Sequence, residues 1–222
     1  MNRFVVIVAG GKGLRMGNEI PKQFLLLAGK PILMRSLEAF FNFDSAIHCI
    51  VVLPEYQIDY WKTLCTQYDC NVPHTVVAGG KERFYSVQNG LRAITSDGVV
   101  AVHDGVRPIV SKSMLQEGFA LAEKCGAAVP YVDSVDSLRI IDENQQTKPV
   151  DRSIVKRIQT PQIFDAKQLQ TIMNVEFKPQ FTDEATVWEL SGKKLCFYKG
   201  NYNNIKITTP EDLVFADNLL KK

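Results

Sequence analysis

The chain has 222 residues, of which 45% are hydrophobic. This length is enough to bury a full core, and we expect a single domain over residues 1–222. The 26 basic and 24 acidic residues give a formal net charge of +2, which supplies no field strong enough to hold a polyanion. We therefore expect neither nucleic acid nor a membrane surface among its partners.

The apolar stretch before Gly10 is too short for a transmembrane helix, and it lacks the cleavage pattern of a signal peptide. Five cysteines are scattered along the chain without a Cys-x-x-Cys pair or a nearby group of histidines. We interpret them as reduced, mostly buried thiols. The sequence thus predicts a cytoplasmic protein.

Short apolar runs alternate with segments of helical periodicity. The runs of strand length cover residues 4–9, 48–53, 75–78, 99–103 and 127–130. The segments with apolar residues at three- and four-residue spacings cover 32–43, 56–68, 83–93 and 113–124. This alternation predicts an α/β fold with a mostly parallel sheet and helices on both faces. A last helix is predicted from the cap Thr209 and Pro210 to about Leu220.

Residues 133–158 break this rhythm. Two short alternating stretches, 137–141 and 149–155, flank a polar turn at 142–145, which predicts a protruding hairpin arm. A two-stranded hairpin is marginally stable alone, so the arm should pack on something, and a second copy of the chain is a natural candidate.

A glycine-rich loop, residues 9–17, follows the first strand at the sheet edge where open α/β folds bind ligands. It lacks the Gly-Lys-Ser/Thr ending of a Walker loop, and Met16 stands where a dinucleotide fingerprint needs its third glycine. Pro21 also prevents a full-length helix from starting there. The glycines together with Arg15 and Lys22 suit a triphosphate, the alternative being that these two cations are solvated surface charges.

The loop at 9–16 and the following Pro21-Lys22-Gln23-Phe24 resemble the signature of the sugar-phosphate cytidylyltransferases. Further segments resemble the same family in the same order over nearly the whole chain, at 79–83 with Ser86, 103–108, 150–152, 159–162, 182–185 and 204–208. The resemblance implies a Rossmann-like fold of the nucleotide-diphospho-sugar transferase type, with a β-arm. It also implies transfer of CMP from CTP to a sugar-alcohol phosphate. The match is closest to members that act on 2-C-methyl-D-erythritol 4-phosphate, in non-mevalonate isoprenoid biosynthesis.

The resemblance assigns roles to individual residues. The catalytic cations would be Arg15, Lys22 and Lys206. The nucleotide would contact Ala9, Gly10, Gly11, Gly13, Gly80, Lys81 and Ser86, although Lys81 stands where many relatives have an acid. The acceptor phosphate would meet Ser137, Arg152, Thr182 and Asp183. The family also implies a homodimer in which the arm and Arg152 reach the neighbouring subunit's site.

Asp104 follows a predicted strand and so lies at the sheet edge beside the glycine loop, where a carboxylate can hold Mg²⁺ against a triphosphate. A phosphate monoester has its second pKa near about 6, so the acceptor needs no strong general base. Simpler alternatives exist for several residues. Asp104 would then be a turn or cap residue, Ser86 a helix-surface hydroxyl, Arg152 an arm salt bridge and His103 a structural hydrogen-bonding group.

Three other functions remain open from the sequence. The nearest is a ribitol 5-phosphate cytidylyltransferase that makes CDP-ribitol, which Gly105 and Val106 favour because the first group more often has two alanines there. The second is a nucleotide-binding regulatory protein that has lost turnover. The third is a nicotinamide-dependent oxidoreductase, which the glycine spacing disfavours.

Overall fold

The computed structural model of the protein describes residues 1–10 and 20–221. The strands, in chain order, are β1 (Asn2–Val8), β2 (Leu26–Leu27), β3 (Lys30–Pro31), β4 (His48–Leu53), β5 (His74–Ala78), β6 (Gly98–Asp104), β7 (Ala127–Asp133), β8 (Leu138–Ile141), β9 (Thr147–Val150), β10 (Lys156–Ile158), β11 (Gln162–Asp165) and β12 (Cys196–Lys199). The α-helices are α1 (Ile32–Phe43), α2 (Ile58–Gln67), α3 (Arg83–Arg92), α4 (Lys112–Cys125), α5 (Ala166–Ile172), α6 (Glu184–Leu190) and α7 (Pro210–Leu220).

The main sheet has the strand order β10-β7-β11-β6-β1-β4-β5, and β12 pairs with β7. Strand β1 is parallel to both β4 and β6, β5 is parallel to β4, and β12 is parallel to β7. Strands β10 and β11 run antiparallel to their neighbours. The predicted α/β fold with a mostly parallel sheet is therefore confirmed, while β10, β11, β12, α5 and α6 are additions that the sequence pattern did not predict.

The chain order creates a crevice beside β1. From β1 the chain proceeds outward to β4 and β5, then returns to β6 on the other side of β1. Val8 is the register partner of Asp104, so the two strands end level with each other. Ligands of open α/β sheets bind at such a switch point, outside the carboxyl ends of the strands.

Both faces of the sheet are covered by apolar side chains. Along β1, Val5 and Ile7 face one layer, whereas Val6 and Val8 face the other, as the two-residue period of a strand requires. The first layer is completed from α1, α2 and α4 by Leu33, Leu37, Phe40, Trp61 and Phe119. The second is completed from α3, α5 and α6 by Phe84, Leu91, Leu169 and Trp188. Burial on both faces explains why these strands are continuous apolar runs.

The residues 133–158 contain the predicted hairpin. Strands β8 and β9 pair antiparallel, apart from the main sheet, and β10 then joins the edge of β7. The second hairpin strand is shorter than predicted because Asp151 accepts a hydrogen bond from the Ser153 amide at 2.9 Å and turns the chain. Several large apolar side chains here are exposed, namely Val135, Ile140, Ile141 and Ile154.

Two further expectations concern the whole chain. Within 1–10 and 20–221, no helix combines the length and apolarity that crossing a bilayer requires. All five cysteines are free thiols, as expected. The expectation that most of them are buried is wrong, because only Cys49 is buried, while Cys65, Cys70 and Cys196 are partly buried and Cys125 is exposed.

His103, at the end of β6, ties the sheet edge to two other segments. Its Nε2 lies 3.0 Å from the Arg107 carbonyl oxygen, which can only accept, so Nε2 carries the proton. Its Nδ1 then accepts a hydrogen bond from the Thr160 hydroxyl at 3.1 Å, and that hydroxyl accepts from the Asp104 amide at 3.1 Å. His103 is fully buried, and burial lowers its pKa to about 4. The alternative of a structural hydrogen-bonding role is confirmed.

A neutral, buried His103 predicts an acid-sensitive fold. Because the histidine of the unfolded chain binds a proton near about pH 6.5 and the folded one does not, acidification below that pH should reduce the free energy of unfolding by about 1.4 kcal/mol per pH unit. The loss should continue until the pH reaches about 4, the pKa of the folded state. Urea unfolding at about pH 7 and about pH 5 measures it.

The matched variants are His103→Asn and His48→Asn, since His48 is exposed. We expect His103→Asn to be less stable than the wild type near neutrality. On acidification its free energy of unfolding should fall by roughly 2 kcal/mol less than that of the wild type. His48→Asn should show the same pH dependence of stability as the wild type. An unchanged dependence in His103→Asn would show that another group carries it.

Candidate active site

A cavity of about 310 Å³ lies at the carboxyl ends of β1, β5 and β6. Among the residues that the sequence singled out, the structure brings together Ala9, Gly10, Lys22, Gly80, Lys81, Ser86, Asp104 and Lys206. Gly11, Gly13 and Arg15 lie outside the described residues. Several residues without an assigned role also line the cavity, among them Gln23 and Arg83.

The turn after β5 forms one wall of the cavity. The Gly80 amide donates to the Ser86 hydroxyl at 3.1 Å, and that hydroxyl donates to the Glu82 carbonyl at 3.2 Å. A Cβ atom at Gly80 would lie 2.3 Å from the Cβ of Tyr85, so only glycine allows the turn to close this tightly. Ser86 is 8% exposed, and the alternative that it is a helix-surface hydroxyl is wrong.

A short 3₁₀ turn, Lys22–Phe24, contributes Lys22 and Gln23 to the cavity lining. Phe24 is buried and stacks on Trp61 with the ring centroids 6.2 Å apart. Gln23 is fully buried and donates to the Gln57 side chain at 2.7 Å. These two contacts on either side of the chain fix the turn, so Lys22 is presented to the cavity from a rigid support.

Asp104 is the centre of a charge cluster. Lys206 Nζ lies 3.0 Å from Asp104 Oδ2, Arg107 Nε lies 3.3 Å from the same oxygen, and Arg83 Nε lies 3.6 Å from Oδ1. The alternative of a mere turn or cap residue does not describe this carboxylate. Its contacts place three cations around one anion on the cavity wall.

The cluster is charged near neutral pH. Burial by itself would raise the pKa of the Asp104 carboxyl, but Arg83, Lys206 and Arg107 together lower it well below its ordinary value. Burial likewise disfavours the charge on Arg83, yet Glu184 and Asp104 hold the pKa of Arg83 above its ordinary value. Asp104 and Arg83 are therefore fixed charges rather than groups that exchange protons near pH 7.

Lys206 is held in place by its own segment. The buried Asn204 side chain donates to the Thr160 carbonyl at 2.8 Å, and the Asn204 carbonyl accepts from Arg107 Nη1 at 2.8 Å. One residue beyond Lys206, the Ile207 amide donates to the Val106 carbonyl at 2.9 Å. The backbone on both sides of Lys206 is thus tied to the end of β6.

Three functional candidates escaped the sequence reasoning, namely Arg83, Arg107 and Glu184. All three lie inside segments that resemble the family, so the signal was present. What the sequence could not provide was their pairing, since Arg83 and Glu184 are 101 residues apart.

The residues expected to bind the acceptor do not line the cavity. Asp183 caps α6, its Oδ1 accepting from the Thr186 amide at 2.9 Å, and its Oδ2 accepts from Gln162 Nε2 at 2.8 Å. Thr182 precedes it. Ser137 and Arg152 lie on the exposed arm, where Arg152 donates to the Val135 carbonyl at 2.6 Å. Acceptor binding by Ser137, Arg152, Thr182 and Asp183 stays a prediction.

The cavity lining contains two acidic residues, Asp104 and Glu82, and Asp104 is the one that the sequence singled out for Mg²⁺. In the part of the chain that the structure describes, no group of three His, Cys, Asp or Glu side chains is placed to hold a metal. Mg²⁺ commonly keeps several waters and binds one or two carboxylates together with substrate phosphates. The residues therefore fit an ion that arrives on a nucleotide triphosphate and contacts Asp104.

Comparison with known proteins gives a consistent result. The family model for 2-C-methyl-D-erythritol 4-phosphate cytidylyltransferase matches residues 4–222. Proteins of that name from Phocaeicola vulgatus and Bacteroides fragilis are each 47% identical to this chain, over 99% of it and all of theirs.

A crystal structure of 4-diphosphocytidyl-2C-methyl-D-erythritol synthase from Anaerococcus prevotii is similar, with a TM-score of 0.83 and 30% identity over 100% of this chain and 99% of that one. The Thermus thermophilus 2-C-methyl-D-erythritol 4-phosphate cytidylyltransferase gives a TM-score of 0.78 and 27% identity, with full coverage of both chains. On the strength of the nearly full-length match, the chain belongs to the 2-C-methyl-D-erythritol 4-phosphate cytidylyltransferase family, whose members are nucleotidyltransferases.

Proposed function

We propose that this protein transfers CMP from CTP to 2-C-methyl-D-erythritol 4-phosphate. The products are 4-diphosphocytidyl-2-C-methyl-D-erythritol and pyrophosphate, and the reaction belongs to non-mevalonate isoprenoid biosynthesis in the cytoplasm. The observation that carries the proposal is the cluster around Asp104, in which Lys206, Arg107 and Arg83 surround one carboxylate on the wall of a glycine-bounded cavity.

The chemistry requires charge placement. An oxygen of the acceptor phosphate forms a bond to the α-phosphorus of CTP, while the bond from that phosphorus to the bridging oxygen breaks and pyrophosphate leaves with the electron pair. The acceptor is already largely dianionic near pH 7, because its second pKa is about 6, and needs no base. Lys22 and Lys206, both on the cavity wall, stabilise the charge that develops on the phosphate oxygens.

The cavity wall also offers contacts for the nucleotide part of CTP. The backbone of Gly10 and Gly80 allows the close approach that a base or phosphate needs, and Lys81 and Ser86 lie on the same wall. Mg²⁺, when bound, would neutralise part of the triphosphate charge, and Asp104 is the side chain that would touch it. We include the ion in the proposal as a partner of CTP.

We also propose that the active unit is a homodimer formed through the arm. Two observations support this. The arm exposes apolar side chains that a second copy would cover, including Ile140, Ile141 and Ile154. Ser137 and Arg152, which the resemblance assigns to the acceptor, lie on the arm and away from the cavity lining of their own chain.

Pyrophosphate release tests the reaction. Purified protein with CTP and Mg²⁺ is given either 2-C-methyl-D-erythritol 4-phosphate or ribitol 5-phosphate. We expect kcat/KM to be at least about 100-fold higher with the former, since an acceptor that leaves buried polar groups unpaired is strongly rejected. Preference for ribitol 5-phosphate would show that the protein makes CDP-ribitol instead. Binding of CTP without release from either acceptor would indicate a regulatory protein.

Subunit mixing tests the shared site. We expect Lys22→Ala and Arg152→Ala to be nearly inactive when assayed separately. If Arg152 completes the partner subunit's site, a mixed dimer contains one intact site, and random exchange should restore about a quarter of the wild-type activity. Each variant exchanged with itself is the control. If the mixture is no more active than the two variants assayed separately, then either Arg152 serves its own subunit's site or the protein is not a dimer.

A further inference from the structure

Arg83 and Glu184 form a two-pronged ion pair in which Glu184 is buried and Arg83 is partly exposed. Arg83 Nη1 lies 2.7 Å from Glu184 Oε1, and Nη2 lies 3.0 Å from Oε2. Glu184 is 2% exposed. This fork geometry fixes the guanidinium in orientation as well as position.

The pair connects two parts of the site. Arg83 is the first residue of α3, directly after the turn that walls the cavity on the nucleotide side. Glu184 is the first residue of α6, directly after Thr182 and Asp183, which are predicted to meet the acceptor. The pair therefore links the cavity wall to the segment that is predicted to meet the acceptor.

Arg83 also faces a second carboxylate. Its Nε lies 3.6 Å from Asp104 Oδ1, which is longer than either contact with Glu184. Glu184 thus holds both terminal nitrogens and leaves only Nε directed at Asp104. The other oxygen of Asp104 is then available to Lys206 at 3.0 Å and to Arg107 at 3.3 Å.

Apolar packing already ties α3 and α6 together through α5, which contacts both helices. Phe84 and Val87 from α3 share an apolar cluster with Val187 and Trp188 from α6. Buried ion pairs contribute little net stability compared with apolar residues of similar size, because desolvation of the two charges offsets their attraction. A pair at this place on the cavity wall is better explained by what it does to Asp104.

We propose that Glu184 is a positioning residue for the transfer reaction. Glu184 holds the Arg83 guanidinium and so prevents Arg83 from moving into closer contact with Asp104. Asp104 can then hold Lys206 in line with the transferred phosphate. The predicted loss of turnover rests on the proposed function, whereas the predicted movement of Arg83 and Lys206 does not. Removal of the Glu184 charge moves Arg83 toward Asp104 and displaces Lys206.

Glu184→Gln is the direct kinetic test, and Glu189→Gln, on the exposed side of the same helix, is its matched control. Displacement of a catalytic group by about 1 Å costs roughly 100-fold in rate. We expect kcat of Glu184→Gln to fall by that order while KM for CTP changes less than about threefold, because the positive charge of the cavity is retained. Glu189→Gln should match the wild type.

Arg83→Lys is the second variant, since it keeps the charge and loses the fork. We expect a similar fall in kcat. The double variant, with Glu184→Gln and Arg83→Lys together, should have a kcat no lower than that of the slower single variant, because both residues act through one contact. If Glu184→Gln fails to fold, Arg83→Lys carries the kinetic test. A folded Glu184→Gln with kcat within about threefold of wild type, or additive losses in the double variant, would overturn the proposal.

A crystal structure of Glu184→Gln tests the positioning role of Glu184 independently of whether the proposed reaction is correct. If Glu184→Gln does not fold, Arg83→Lys is used instead. In Glu184→Gln we expect a terminal nitrogen of Arg83 within about 3 Å of Asp104 and a displaced Lys206 ammonium. In Arg83→Lys we expect Lys206 displaced as well. Unmoved Lys206 overturns the inference even if the wild type is active. A displaced Lys206 with a wild-type protein inactive on both acceptors supports the positioning and refutes the proposed reaction.

Discussion

The contact of one buried carboxylate, Asp104, with three cations is the interaction on which the rest of the site depends. The cations come from three separate places: Arg83 follows β5, Arg107 follows β6, and Lys206 lies near the C-terminus. They meet because β1 and β6 end level with each other at the switch point of the sheet. The strand order thus determines where positive charge can collect.

The cluster is arranged for charge stabilisation. Glu184 balances Arg83 and Asp104 balances one further cation, so these five groups retain one excess positive charge. Charges fixed in advance by buried hydrogen bonds need no reorganisation during the reaction. His103, a residue type that often serves in acid–base chemistry, is here neutral, buried and hydrogen-bonded at the sheet edge.

The sequence predicted the elements whose signals are local. Ile32–Phe43 and His48–Leu53 have the predicted bounds because a long amphipathic period and a continuous apolar run are each distinctive. Strand β11 was missed since its four residues carry too short a pattern and pair antiparallel inside a parallel sheet. The pairing of Arg83 with Glu184 was missed for another reason. It spans 101 residues, so only the tertiary fold reveals it.

Steady-state kinetics of Asp104→Asn, with CTP affinity measured by calorimetry on the same folded protein, tests the central role of this carboxylate. We expect kcat to fall by about 100-fold or more, because Lys206 and both arginines lose the anion that aligns them. CTP affinity measured without Mg²⁺ should be retained or increased, since removal of a negative charge leaves the cavity more positive. Near-wild-type turnover, or loss of CTP binding with turnover preserved at saturation, would contradict an organising role for Asp104.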